Sequence, residues 1–503
     1  MTARQKVGIL GILMSAALAF SLVQFGIIRV LGVVILLGLL VLVVAFPEVG
    51  TLTVIFVLYT NLAGIAANNY GVPDAIARSF SLLLGLPLVS YLIMQRQKLV
   101  IDHTVLLMLV FLGGMLASSL IAVDVNLAMN HVIEYLVEGF ALFILLINVV
   151  RKRVTLKRVI WTLIIVGGLL GGLTLYQEVT NSYGNDFGGL AQRNSLVESG
   201  TVTQDESVRI NRAGGPIDGN PNRYAQILIV LFPLALFRVW GEQSWWRKAL
   251  ALAGSVLILS GILLTYSRGA SVTLALLLLI MTLMRYIRLQ QILISVAALV
   301  ILVAVAVPGY LNRIDTLRGV EGLFTQESNQ EPDYVTRSRV TEMLAALNVF
   351  IDHPILGVGP GQYTPYYSID YQLDPEIALR YIPKTRRAHT LYFELGAETG
   401  TIGLGTFMAI LALIMYRLWQ ARRRWIQSSP EIANIATSFL LSIIGYLGTA
   451  VFLHLSYQRY YWLLLALATA ATQIFESEFS DRKYVEGELT IRSSLRSERA
   501  PLS

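Results

Sequence analysis

Apolar runs of roughly 17 residues or more recur along most of this chain, and no other feature limits its fold so tightly. Each is about long enough to cross a hydrocarbon core of roughly 30 Å as a helix. Fourteen candidate spans emerge, near 7–24, 28–46, 50–66, 79–94, 104–122, 128–149, 157–177, 223–240, 248–266, 270–286, 289–308, 391–416, 432–453 and 459–475. Several neighbours are separated by almost nothing, so the expected fold is an all-α polytopic membrane protein of about 12–14 transmembrane helices. Composition agrees: of 503 residues 55% are hydrophobic and 14% charged, where a soluble chain carries about a quarter charged residues. The first run starts at Val7 and is followed at once by another, with no small-residue cleavage site between them. It is expected to be a retained helix, not a signal peptide.

Charge gives an orientation. Short cytoplasmic loops collect Lys and Arg. With the N-terminus inside, the inner loops are QRQK (95–98), RKRVTLKR (151–158), RVWGEQSWWRK (238–248), RYIR (285–288) and RLWQARRR (417–424), and every one is basic. Both termini are then expected inside, with residues 476–503 as a flexible cytoplasmic tail. Two long segments fall outside, 178–222 and 309–390. The chain divides accordingly into a bundle at 1–177, a first outer loop at 178–222, helices at 223–308, a large outer loop at 309–390 and C-terminal helices at 391–475.

The outer segments hold arginines that the charge rule does not explain, because long loops are exempt from it. Nearly all are Arg and not Lys, among them Arg193, Arg209, Arg313, Arg318, Arg337 and Arg339. A guanidinium presents a planar fork of donors suited to phosphate oxygens and stays protonated when partly desolvated. A solvated or snorkelling charge is the plain reading for most of them. For Arg212, Arg268 and one of the pair Arg386 and Arg387 the phosphate reading is preferred, since each sits at a loop-to-helix junction.

The larger outer loop has internal order. In RSRVTEMLAALNVFI (337–351), Val340, Met343, Leu344, Leu347 and Ile351 recur at three- and four-residue spacing, the apolar stripe of an amphipathic helix on the membrane surface or the bundle. His353 and Pro354 end it. GVGPGQY (357–363) cannot continue a helix; it is either a rigid turn where backbone approaches a neighbour or ligand, or a plain connection.

Residues 386–404, RRAHTLYFELGAETGTIGL, place one of five histidines behind two cations. A neutral imidazole can take a proton from a hydroxyl, and neighbouring cations disfavour its protonated form. An interfacial polar cap is the alternative role for His389. Glu394 and Glu398 follow further along the helix; an ionisable group at depth faces a cavity or a partner, and Glu398 is expected against a cation or hydroxyl. Cysteine is absent, so no disulfide or thiolate metal site exists. The outer loops carry neither Asp-x-Asp nor His-x-x-x-His, no metal or other cofactor is expected, and no P-loop stands in the inner loops. No nucleic-acid motif occurs, and the isoelectric point of about 9.4 fits inner loops facing anionic lipid.

HTLYFELGAETGTIGL (389–404) resembles the signature of the O-antigen ligase and polymerase superfamily. DHPILGVGPGQY (352–363), TYSRGAS (265–271) and RAGGPIDGNPNRYA (212–225) resemble three further motifs of that family, and all four stand in the family's order. Thr390 departs from it, where the family often has Asn. The resemblance implies a metal-independent, inverting GT-C-type glycosyltransferase whose donor is a polysaccharide on undecaprenyl diphosphate at the outer leaflet of the bacterial inner membrane. By position His389 matches the proposed general base, and Arg212 and Arg268 the proposed diphosphate ligands. Arg387 is grouped with them, and Glu398, Tyr392 and Asn222 are expected to support the site. The acceptor stays open between a lipid core (ligase), another lipid-linked repeat unit (polymerase) and other glycans or protein. Bicarbonate transporters in the same superfamily supply a rival reading, although no internal repeat of the transporter kind is found.

Overall fold

The computed structural model describes residues 46–73, 77, 79–93, 96–198, 208–288, 290, 334–374, 385–455 and 458–497. The expected span near 7–24, nearly all of those near 28–46 and 289–308, and Arg313 and Arg318 lie outside them. Among the described residues six helices are long and apolar enough to cross a membrane, or seven if one bent pair counts as a single span. The chain is an all-α polytopic membrane protein.

The bent pair is α1 (Pro47–Thr60) and α2 (Leu62–Tyr70), which meet at 55°. The break is Asn61, whose φ of 57° takes the chain out of the helix. Its side-chain amide donates to the Pro216 carbonyl at 2.7 Å, and Arg459 donates to its oxygen. Two shorter apolar helices follow, α3 (Phe80–Leu92) and α4 (His103–Ser119). Asp102 caps α4 by accepting from the Thr104 and Val105 amides, a role that satisfies otherwise orphaned donors. α5 (Val125–Val149) carries a π-helical stretch at Tyr135–Ala141, a widening that often accompanies function. α6 (Arg153–Thr180) packs so closely on α8 (Trp245–Leu263) that a Cβ on Gly171 would lie 2.1 Å from the Leu257 carbonyl oxygen. Small residues permit such close approach between membrane helices.

α7 (Pro221–Gly241) and α12 (Pro430–Ala450) are the most buried of the spans. α7 starts where Asn220 accepts from the Asn222 and Arg223 amides and Pro221 occupies the first turn, the position where a missing N–H costs nothing. α9 (Arg268–Leu283) packs on α12, and α10 (Tyr334–Asp352) on α11 (Leu391–Trp425). The basic stretches 151–158, 238–248 and 417–424 gather at one end of the bundle, where Arg417 meets Asp102 at 2.7 Å. The starts of α7, α9 and α11 lie at the other end.

Three features differ from what the sequence led us to expect. The segment 178–222 contains an antiparallel strand pair, β1 (Gln192–Glu198) and β2 (Val208–Gly215), with Asn194 opposite Arg212; hydropathy is blind to a short polar hairpin. The last helix, α13 (Gln458–Ser497), runs through most of the stretch expected to be a flexible tail. Polarity after Phe475 ends the apolar stretch, but its Glu, Arg and Leu residues are good helix formers. Third, α10 forms as its periodicity predicts, yet its apolar stripe is not its buried face. Ser338, Thr341, Glu342, Ala345, Ala346 and Val349 are buried, while Val340, Met343, Leu344 and Leu347 are half-buried and Ile351 is exposed. Small residues allow α10 to seat tightly on the protein, which leaves the larger apolar side chains on its outer flank.

α11 is broken at Gly400, with φ 64° and ψ −165°. The GVGPG turn fills the break. Val358 and Gly359 donate to the carbonyls of Ala397 and Glu398 at 2.9 and 3.0 Å, and Thr401 donates to the Pro354 carbonyl at 2.7 Å. Of the two sequence readings of this turn, close approach to a neighbour is the observed one. The neighbour is the chain's own backbone.

Candidate active site

Arg386 to His389, just ahead of the Thr390 cap of α11, are held from two sides by carboxylates. On one side Glu394, one turn into α11, accepts from Arg387 through Nε at 2.9 Å and Nη2 at 2.6 Å. Its second oxygen accepts from the Ala388 amide at 3.0 Å. On the other side Glu342 of α10, fully buried, lies 3.3 Å from Arg386 Nη1 and 3.4 Å from His389 Nε2. The alternation turns successive side chains to opposite sides. It also leaves His389 with a φ of 50°, a left-handed backbone that a non-glycine residue adopts at a cost of about 1–3 kcal/mol and that tends to cluster at functional sites.

His389 is about a third exposed. Its ring lies 6.1 Å from that of His454, which in turn hydrogen-bonds Arg223. Burial pushes the His389 imidazole down to about 4, helped by Arg339, Arg386, Arg223 and Arg387. It is therefore uncharged at neutral pH, so its contact with Glu342 is not an ion pair there. Burial likewise drives His454 well below the usual histidine value, with Arg387 and Arg223 adding to the effect. Glu342 is raised by burial, against the opposing pull of Ser338 and Arg386.

A polar cavity of about 500 Å³ opens beside this segment, lined by Arg223, Arg387, His454 and Arg459 together with His131, Glu134, Glu138 and Asp218. Deeper in, a cavity of about 50 Å³ brings His131 and Arg387 beside Glu394 and Glu398. The Glu398 carboxylate accepts the Gly361 amide and shares this cavity with Arg387, where a cation or hydroxyl was expected. Tyr392 donates to the Leu447 carbonyl at 3.0 Å, fastening α11 to α12.

Arg212 is mostly buried and reaches inward. Its Nε donates to the Thr265 carbonyl at 2.8 Å and its Nη2 to the Asn222 side chain at 3.1 Å. β2 also joins the end of α8 through the Ala213 amide and the Leu264 carbonyl, 3.0 Å apart. Arg212 thus braces the turn that launches α9, and Arg268 is the first residue of that helix. Asn222, Ser267 and Gly269 share a small pocket with Arg339, and Arg339 is also among the cations acting on His389. That chain of neighbours connects the Arg268 corner to the histidine.

Residues 253–408 match the family model described as O-antigen ligase. This stretch is similar to the O-antigen ligase family. This agrees with the superfamily indicated by the four motifs. The matched stretch contains Arg268, Arg339, Glu342, Arg387, His389, Glu394 and Glu398. Arg212, Asn222, Arg223, His131 and His454 lie outside it, so the candidate site is assembled from both the matched stretch and its flanks. No curated protein matches the chain. Glu342, Arg223, His131 and His454 were not foreseen as site residues. Glu342 had one available signal, a carboxylate within the amphipathic helix, but the apolar stripe pointed to the opposite face.

Proposed function

We propose that this membrane glycan ligase or polymerase transfers a polysaccharide from undecaprenyl diphosphate to an acceptor hydroxyl at the outer face of the inner membrane. The observation that carries the reading is the placing of the His389 imidazole, directly after Arg386 and Arg387 and beside His454, which hydrogen-bonds Arg223; burial and these cations hold the ring below the ordinary histidine value. A base and a cluster of cations are what displacement of a diphosphate requires. The acceptor oxygen attacks the anomeric carbon from the face opposite the diphosphate, and its proton passes to His389. The bond from that carbon to the diphosphate oxygen breaks, and the lipid diphosphate leaves with the electron pair. Inversion follows from the single displacement.

Charge grows on the departing diphosphate, where preorganised donors make the largest catalytic contribution. Arg268 at the start of α9 and Arg387 at the cavity wall are assigned to it. Arg212 adds its charge to the same face and, through its grip on Thr265 and Asn222, sets where Arg268 stands. Arginines are sufficient for this role because guanidinium pairs bidentately with phosphate oxygens, and no divalent metal is required.

A ligase and a polymerase differ here only in the acceptor, a lipid core or a second lipid-linked repeat unit. Purified protein incubated with lipid diphosphate-linked glycan, EDTA and each acceptor in turn tests the assignment. Formation of glycan product and release of lipid diphosphate are expected with one of them. Proteoliposomes that move bicarbonate yet never consume lipid-linked glycan would replace this reading by the transporter one.

A further inference from the structure

Glu342 is a carboxylate with no exposed surface, on the face of α10 that packs against α11. Burying such a group is costly unless it is paired, and its two oxygens are used differently. Oε1 accepts from Ser338 Oγ at 3.0 Å and from Arg386 Nη1 at 3.3 Å. Oε2 is buried with no hydrogen-bond partner, and the atom it faces is His389 Nε2 at 3.4 Å. On the far side of the ring, His389 Nδ1 is buried and also without a partner.

A neutral imidazole carries one proton, on one nitrogen or the other, and the group that faces each nitrogen decides which. We infer that Glu342 is a positioning residue for His389: its Oε2 accepts the Nε2 proton, which fixes the ring's tautomer with Nδ1 bare. The assignment rests on the transferase reading for its chemistry, but the tautomer itself does not depend on that reading. Two further features favour it. The clamp from Glu394 on Arg387 and the Ala388 amide fixes the backbone just before the ring. The left-handed φ at His389 turns that ring toward α10.

The alternative is that Glu342 merely anchors Arg386 and seats α10. Glu342→Gln separates the two. Ser338 and Arg386 both donate toward Oε1, so the glutamine must turn its oxygen to them and its NH₂ to His389. The imidazole can then only accept at Nε2, and its proton moves to Nδ1. A purely structural role predicts no such exchange.

The tautomer is read from the ¹⁵N signals of histidine-labelled protein in detergent, with the His389 signals assigned by their loss in His389→Gln. In the parent protein, Nε2 should carry the proton and Nδ1 should be bare. In Glu342→Gln the two should exchange, and turnover of lipid diphosphate-linked glycan should fall by about 100-fold or more, the range of general-base loss, with little change in KM. Proton on Nδ1 in the parent protein overturns the proposal, and that measurement needs no variant to fold. An unchanged tautomer in a Glu342→Gln protein that melts with the parent also overturns it. If the parent consumes no lipid-linked glycan, the transferase reading fails by itself, and the ¹⁵N result still decides whether Glu342 sets the tautomer.

Discussion

The Gly359 amide donates to the Glu398 carbonyl at 3.0 Å, joining the turn after α10 to the break in α11. The turn must come this close because the break frees carbonyls that have no helical partner. Gly357, at φ 69°, would place a Cβ 2.4 Å from the Glu398 carbonyl carbon, and one on Gly400 would lie 2.2 Å from the Ile355 carbonyl oxygen. Gly357→Ala and Gly400→Ala should each destabilise the protein by about 2 kcal/mol or more, from strain and lost contacts. Gly405→Ala, in the same helix with open space around it, should be neutral or slightly stabilising. Thermal unfolding of the three variants in one detergent checks this; equal melting temperatures would show that the turn does not brace the break.

The Arg387–Glu394 pair holds the histidine segment. Glu394 is almost fully buried, while Arg387 is about a third exposed. Removing one partner of a buried pair costs about 3–5 kcal/mol, and the exposure of Arg387 puts this case at the low end. Glu394→Gln should lower the melting temperature clearly. Arg387→Gln together with Glu394→Gln should cost less than the sum of the two single changes, and strictly additive losses would refute the coupling.

Arg212 and Arg268 should separate. Arg212 has structural partners in Thr265 and Asn222, so Arg212→Lys should lower both the melting temperature and transfer. Arg268→Lys should impair transfer with a near-parental melting temperature, because lysine keeps the charge and loses the planar fork. Full activity in Arg268→Lys would remove it from the diphosphate site.

Much of this was legible in the sequence. Apolar runs announced the helices, and the histidine behind two arginines pointed to the candidate site, because both are local patterns. What stayed hidden depends on tertiary approach. Hydropathy cannot show that α11 breaks at Gly400 or that α1 and α2 bend at Asn61. The burial of Glu342 was masked because α10 packs with its small residues inward. Arg223 and His454 are 231 positions apart, so only the fold brings them to one cavity wall.

The pH profile follows from the depression of His389. The base is the neutral form, so a pKa near 4 keeps it active across neutral and mildly acidic pH. An ordinary histidine would lose activity below about 6.5. Transfer should therefore hold from pH 7 to about 5 and fall only near 4. The charges facing the ring are Arg339, Arg386, Arg223 and Arg387 against Glu342, with His454 neutral beside them. For stability the sign is the same. The unfolded chain takes up this proton near 6.5 and the folded one only near 4, so stability from the neutral ring is lost as pH falls through that window. An acid limb at 6.5 in kcat/KM would contradict the depressed value.

The most direct test of the central claim is transfer by His389→Ala. Parent and variant, purified in the same detergent, are given lipid diphosphate-linked glycan and acceptor in EDTA, and product is followed with melting temperature measured alongside. The variant should fold and melt somewhat below the parent, since the buried Glu342 Oε2 loses the group it faces, and its rate should fall by about 100- to 10,000-fold. A folded variant that transfers glycan within a few-fold of the parent would contradict the account.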